Sequence, residues 1–480
     1  MAETKEEQVA WTPEEEKALV RKIDLKLIPW IMVLYLCSYL DRVNIGNAKV
    51  ANQEVPGSSM EATLGLNSDQ YSWSVAIFFF GYVIFEVPSN ILMKVYSPSK
   101  WLARIMVTWG ICATCMAAVS NFPGLLAARF FLGLMEAGSF PGFIYYYSFW
   151  YKQQEQATRV AIFFSMASIA GAFSGLLASA ISFLNNKGGL EGWRDLTSDY
   201  FLTAYLLNKG LPSIIVGVFV YFLLPDFPQT ELKWLSDRER HIAVNRMPPT
   251  APSHLHKHFE LHELKATLFD PWTWLFNFAY FCCVCPLYSV SYFNPTIIKN
   301  LGYVSYIAQL MTVPPYAAAF VWTIGLGLNS DRTHERALHV SASLVVGIVG
   351  FIMQLALDVQ ANTGAKYFGV FLATIGPFGT IPCINTFRTK TMRGTATSGA
   401  VATAAMVASG NIGGIVSPFL YPNWAGPQYK YGTITNIVLM GLGIVSMLIL
   451  RQVYKDVEEG ILVEGAASEE FEKKDGAVSA

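Results

Sequence analysis

Charge is what this sequence has least of. Only 14% of its 480 residues are Asp, Glu, Lys or Arg, against roughly 25% in an ordinary soluble domain. About half of the 34 basic and 35 acidic side chains crowd into three segments, 1–26, 226–269 and 451–480. The rest are too few to cover a water-soluble globule of this size. That excludes a soluble enzyme and a nucleic-acid binder, and a net charge of -1 offers nothing to a polyanion. Cysteine is sparse too. Cys37, Cys112, Cys115, Cys282, Cys283, Cys285 and Cys383 all lie in apolar stretches, where a thiol acts as a small hydrophobe and a disulfide scaffold is not expected. No Cys/His pair at zinc spacing accompanies the cluster at 282–285, and no catalytic triad or nucleotide loop is visible, so no metal, cofactor or enzymatic activity is expected. The first 26 residues are too charged to hold the core of a cleavable signal peptide, which makes the first hydrophobic span the insertion signal. An N-x-Ser/Thr acceptor is missing as well.

What the sequence does have is apolar length, 53% of it hydrophobic. Runs of about 20 apolar residues cross a bilayer as helices. They fall near 27–48, 71–95, 102–120, 124–150 and 160–184, with a sixth ending at 224. Beyond the hydrophilic stretch they resume at 272–292, 303–328, 339–357, 367–387, 395–421 and 433–453. The expectation is an all-α membrane protein with twelve transmembrane helices in two six-helix bundles. Its parts are an N-terminal tail (1–26), a first bundle (27–225), a linker (226–269), a second bundle (270–453) and a C-terminal tail (454–480). With the N-terminus inside, about sixteen Lys and Arg fall in cytoplasmic loops against about seven opposite, so both termini are expected in the cytoplasm. In the linker, Leu235 to Arg240 reads as an amphipathic surface helix. His254, His256, His258 and His262 read as solvated side chains rather than a metal site.

An ionisable group inside a span costs several kcal/mol, so each one is a functional candidate. Asp41 and Arg42 end the first span, Glu86 sits mid-helix in the second, and Arg129 and Glu136 share the fourth. A spacing of seven puts Arg129 and Glu136 on one helical face, two turns or about 10.5 Å apart. No histidine lies in the interior of a span, so a transported proton would ride on Asp41, Glu86 or Glu136. An arginine supplies a two-pronged partner for a carboxylate. The set therefore suits a proton-coupled carrier of an organic anion, and the bland alternative is a group of ion pairs that only fixes helix packing. Small residues (Gly133, Gly138 and Gly142; Gly171 and Gly175; Gly410, Gly413 and Gly414) permit helices to approach closely.

Two runs, L-V-R-K-I-D-L-K-L-I-P over 19–29 and Y-L-D-R-V-N-I-G-N-A over 39–48, together with 129–142 and G-N-I-G-G over 410–414, resemble the major facilitator superfamily. Within it they resemble the anion:cation symporter family, on its fungal allantoate and nicotinate permease branch. The likeness extends from about 15 to 453. A loop signature of the superfamily recurs as Gly327, Asp331, Arg332 and Arg336, which the resemblance marks as a gating loop, while its counterpart at 90–100 lacks the acidic residue. The resemblance implies two bundles rocking about a central site. It assigns the substrate carboxylate to Arg42, protons to Asp41 and Glu136, and a carboxylate partner to Arg129. It places Tyr82 and Asn411 along the substrate path and leaves Glu86 without a role. Two departures stand out: about ten extra residues between Gly192 and Pro212, and a 388–395 loop without the usual T-K-R-A.

The implied activity is proton-coupled symport of a small carboxylate such as nicotinate, allantoate or a related vitamin, in the plasma membrane, by a monomer whose partners are the organic anion, the proton and the lipid bilayer. The alternative is a proton-coupled exporter of an acidic secondary metabolite from a fungal biosynthetic cluster. A receptor that signals without transport would be expected to carry a longer tail than the acidic one after Val453.

Overall fold

The computed structural model describes residues 11–182, 193, 210–230, 233–247, 261–358, 362–391 and 396–455. His254, His256 and His258, and nearly all of the extra segment between Gly192 and Pro212, lie outside the described residues. The described chain is helical, and local chemistry sets the helix starts. Thr12 and Glu15 form a reciprocal cap at the start of the first helix, Pro13–Val50, with Pro13 in its first turn, where a missing N–H costs nothing. Asn67 and Gln70 do the same for Ser68–Val95. Asp270 accepts from the backbone of Trp272 and Thr273 at the head of Pro271–Lys299.

Among the described residues, eight helices are long and apolar enough to span a membrane. The remaining spans are Ser68–Val95, Pro98–Cys115, the broken pair Phe122–Glu136 and Ser139–Ser148, and Gly210–Leu223. The second carries Asp69, Glu86 and Lys94, and the fourth is split, so neither reads as one long neutral apolar run. Together they make the twelve-helix, two-bundle architecture. The same pairing recurs in both halves. The first span packs on the fifth, the second on the fourth and the third on the sixth, as the seventh packs on the eleventh, the eighth on the tenth and the ninth on the twelfth. Between the halves run three seams: first to seventh, second to eleventh, fifth to eighth.

The fourth span was expected to be continuous over 124–150. It breaks after Glu136, because Gly138 takes a left-handed φ of 82°, a conformation open chiefly to glycine. The next helix then begins at Ser139, with Pro141 in its first turn. The break sits directly after the most deeply buried acid of the bundle.

Polar ties between the halves gather at one end, here called distal because residues 13 and 453 lie at the other, proximal end. Lys49 donates to Asn423 at 2.7 Å, Lys299 to Gln53 at 2.5 Å, and the Ser305 amide to Glu54 at 2.8 Å. Gln309 reaches the Asn47 carbonyl and Ser72 the Pro418 carbonyl. At the proximal end, among the described residues, every ion pair stays within one half, counting the linker helix Asp237–Asn245 with the first. That helix occupies the stretch read as amphipathic. Arg238 grips Glu15 through two nitrogens, Lys22 grips Glu239, and Arg246 binds Glu155 and the Trp150 carbonyl. The bonds from Arg238 hold the Glu15 carboxyl down at about 2 from an ordinary 4.5. The contribution of this pair to the strap is complete above about 4.5 and is lost as pH falls from there through about 2.

Gly46 gives a test of the distal seam. A Cβ there would lie 2.6 Å from the Tyr292 carbonyl oxygen of the other half, and neither backbone can yield cheaply. Gly46→Ala should disfavour the closed distal end by about 1–3 kcal/mol. A cysteine placed at Ser72, buried against Pro418, should then react with an impermeant maleimide about fivefold faster or more. An unchanged rate would show that the seam does not hold that end shut.

Candidate functional site

Between the halves lies a narrow cavity of ≈ 40 Å³, room for a few water molecules in this state and well below the usual size of small-molecule sites. Tyr35, Tyr39, Arg42, Tyr82, Phe140 and Phe164 line it from the first half, and Tyr280, Tyr288 and Asn411 face them from the second. The distal side is sealed by the Tyr39–Ser291 hydroxyl pair at 2.9 Å and by Phe79 packed on Tyr288 at 4.8 Å. Its other walls run from Arg42 and Tyr288 toward Tyr35 and Tyr280, in the proximal direction.

Arg42 is the centre of the site. Its Nη2 donates to Glu136 Oε1 at 2.6 Å and its Nη1 to the Tyr288 hydroxyl at 3.1 Å. Tyr288 in turn donates to Asn411 Oδ1 at 3.0 Å, and Ser38 donates to the same Glu136 oxygen. The result is a continuous chain, Ser38–Glu136–Arg42–Tyr288–Asn411, that crosses from one half to the other. The guanidinium also lies 5.0 Å from the Tyr82 ring and 5.3 Å from Phe78, a cation–π setting that compensates part of its lost hydration. The compensation is partial. Arg42 Nε and Glu136 Oε2 are buried without hydrogen-bond partners, so an incoming group has open valences to satisfy on both members of the pair.

Other sequence candidates fall in different places. Asp41 neighbours Arg42 in the chain but points between the third and sixth spans, where Trp109 Nε1 and Ser213 Oγ each donate to Oδ2 at 3.1 Å. A step of about 100° per helical residue separates the two directions. Arg129 is fully buried, donates from Nε to the Ser74 carbonyl at 3.2 Å and lies 5.0 Å from Phe78. It makes no ion pair with Glu136, and both Nη atoms lack partners. Tyr82 sits in the cavity wall with its hydroxyl 3.4 Å from Ser139 Oγ. Glu86 is buried, and neither carboxylate oxygen has a hydrogen-bond partner. Asp331 and Arg336 pair at 2.9 Å inside the second half, beside an exposed Arg332. Among the described residues, no three His, Cys, Asp or Glu side chains assemble as a metal site.

Sequence reasoning missed Tyr288, Ser38, Trp109 and Ser213. For Tyr288 a signal existed. Tyr280, Val284, Tyr288 and Tyr292 recur every fourth residue along the seventh span, an aromatic stripe on one helical face.

Comparison with known proteins identifies the family and the fold. The Major Facilitator Superfamily profile matches residues 31–418. The MFS transporter prlL of Fungal sp. (strain NRRL 50135) is 37% identical over 455 residues, 94% of this chain and 90% of the relative. A putative tartrate transporter of Agrobacterium vitis is 32% identical over 407 residues, 84% of this chain and 87% of the relative. A bacterial homolog of the human lysosomal transporter Spinster, solved inward-facing and unoccupied, superposes with a TM-score of 0.60 at 15% identity. That likeness, covering 94% of this chain and 98% of the other, concerns the fold alone. Matched along most of its length by the profile and by relatives of similar size, the chain belongs to the major facilitator superfamily, whose members are membrane transporters and not enzymes.

Proposed function

We propose that the protein is a proton-coupled symporter of a small organic anion that works by alternating access, on the anion:cation symporter branch that includes the fungal allantoate and nicotinate permeases. One observation carries the reading: a buried guanidinium lines the cavity between the halves, and its carboxylate partner, Glu136, has one oxygen unsatisfied. A cargo carboxylate competes with Glu136 for Arg42. Once displaced, Glu136 is a buried anion without its counter-charge, and binding a proton removes that cost. Anion and proton therefore bind together, and losing either weakens the other. Asp41, held by Trp109 and Ser213, serves as a further proton acceptor within the first half, Tyr82 and Asn411 border the cargo, and Arg129 tunes the cluster from behind Phe78. The loop of Asp331, Arg332 and Arg336 gates the proximal end. The relative named as a putative tartrate transporter fits a carboxylate cargo. With both termini cytoplasmic, as the Lys and Arg distribution favours, the cavity faces the cytoplasm in this state, and the plasma membrane is the expected location of the monomer.

The test is uptake of a labelled carboxylate panel, including nicotinate, allantoate and tartrate, into a permease-deficient yeast at two external pH values. At least one acid should accumulate more at the lower pH and leak out on adding a protonophore, while its amide is ignored. Accumulation indifferent to pH, or outward movement of the acid against its gradient, would overturn the symport reading.

A further inference from the structure

Among the intramembrane acids of the described residues, Glu86 stands apart: Glu136 is held by Arg42 and Asp41 by Trp109 and Ser213, whereas the Glu86 carboxylate has no hydrogen bond. It lies one turn after Tyr82 in Ser68–Val95 and is 1% exposed, and both carboxylate oxygens are buried without a hydrogen-bond partner. Asn90 donates at 2.9 Å to its backbone carbonyl, not to its side chain. The polar groups facing the carboxyl are Arg42 from the first span, Tyr82 from its own helix, Tyr280 and Tyr288 from the seventh, and Asn411 from the eleventh. Arg42 alone among these is charged, and Glu136 already holds it at 2.6 Å. Asp41, Glu86 and Glu136 thus stand against Arg42 and Arg129, one acid in excess. An ionised carboxylate buried without donors is among the costliest groups a fold can hold, whereas a neutral carboxyl forgoes only hydrogen bonds.

Asn411 links this acid to the motion. Its Oδ1 accepts from Tyr288, which leaves its amide nitrogen as the donor available to Glu86, but no hydrogen bond closes. The two residues belong to opposite halves, on the seam between the second and eleventh spans. Exchange of the open face has to change that seam. An N–H brought into range favours the anion, and its withdrawal favours the acid, so Glu86 has a different proton affinity in each state, which is what coupling requires.

We infer that Glu86 is a further proton-carrying residue beside Glu136 and Asp41, loaded and discharged as the second and eleventh spans change their contact at Asn411. The inference rests on the symport reading for its role in transport, but not for the titration itself. The proton moves between a Glu86 carboxyl oxygen and water, and no other bond changes. Each cycle then moves one more proton than Glu136 and Asp41 supply.

The experiment uses the full-length protein in proteoliposomes, without and with a transported carboxylate. In the infrared difference spectrum between acid and alkaline buffer, a protonated-carboxyl C=O band should vanish in Glu86→Gln and persist, shifted, in Glu86→Asp. Charge moved per anion should fall by one elementary charge in Glu86→Gln, and the proton dependence of uptake should drop by one in Hill slope. A wild-type spectrum and wild-type charge per anion in Glu86→Gln would overturn the inference. Loss of the band in Glu86→Gln, with wild-type uptake that ignores pH, would uphold the titration of Glu86 and strike down symport instead.

Discussion

Replacing Arg42 by alanine should reduce carboxylate uptake to the background of the host cell. The side chain is the single cationic group in the cavity wall, and three neighbours depend on it. Glu136 loses its counter-charge and keeps only Ser38, Tyr288 loses the donor to its hydroxyl oxygen, and the Tyr82 and Phe78 rings lose the guanidinium beside them. Breaking a buried pair from one side costs about 3–5 kcal/mol of stability, and the lost charge-assisted contact with the cargo is worth about 1.5–3 kcal/mol, roughly tenfold to a hundredfold in affinity. Arg42→Lys is the informative companion. An ammonium preserves the charge but cannot present two planar donors at once to Glu136 and Tyr288, so its uptake should be partial and should need more substrate for half-saturation. Both variants are compared at equal surface expression and with unchanged gel-filtration profiles. Strong accumulation by the alanine variant would remove the guanidinium from the cargo's path.

Glu136→Gln should separate movement from driving force. Glutamine keeps the size of the side chain, can still accept from Ser38 and no longer titrates. Counterflow of labelled against unlabelled anion should therefore survive, whereas accumulation under an acid-outside gradient should fall by one proton's worth. The scale is set by the gradient: each pH unit is worth about 1.36 kcal/mol, or tenfold in concentration ratio for one proton. Under one imposed unit, the variant should accumulate about tenfold less than the wild type. Undiminished concentration by Glu136→Gln would move the proton elsewhere, to Asp41 or Glu86.

The spans and the buried charges Arg42 and Glu136 were legible in the sequence for one reason: charge at bilayer depth is so costly that each instance announces itself. The same logic could not say which way a side chain points. Asp41 and Arg42 are adjacent letters, yet one is held by Trp109 and Ser213 inside the first half while the other reaches Tyr288 in the second. Arg129 and Glu136 share a face as the spacing required, but two turns is too far for an ion pair, and the packing put Ser74 and Phe78 beside the arginine instead. Tyr288 was missed because its partner lies 246 residues away in the chain, a relation that no local pattern encodes. The split in the fourth span was written in Gly138 and Pro141, but hydropathy averages over such punctuation.

The uneven placement of the ties between the halves has its own consequence. Distal closure draws on one partly exposed ion pair, Glu54 with Lys299 at 3.5 Å, and on the buried Lys49, which donates to the neutral Asn423, whereas no ion pair among the described residues spans the halves proximally. A separation of 3.5 Å lies inside the screening length of about 8 Å at about 0.15 M salt, and an exposed pair contributes only about 0–1 kcal/mol. Uncharged contacts therefore carry most of the distal seal, and moderate changes in salinity should leave the resting carrier turned toward its own termini.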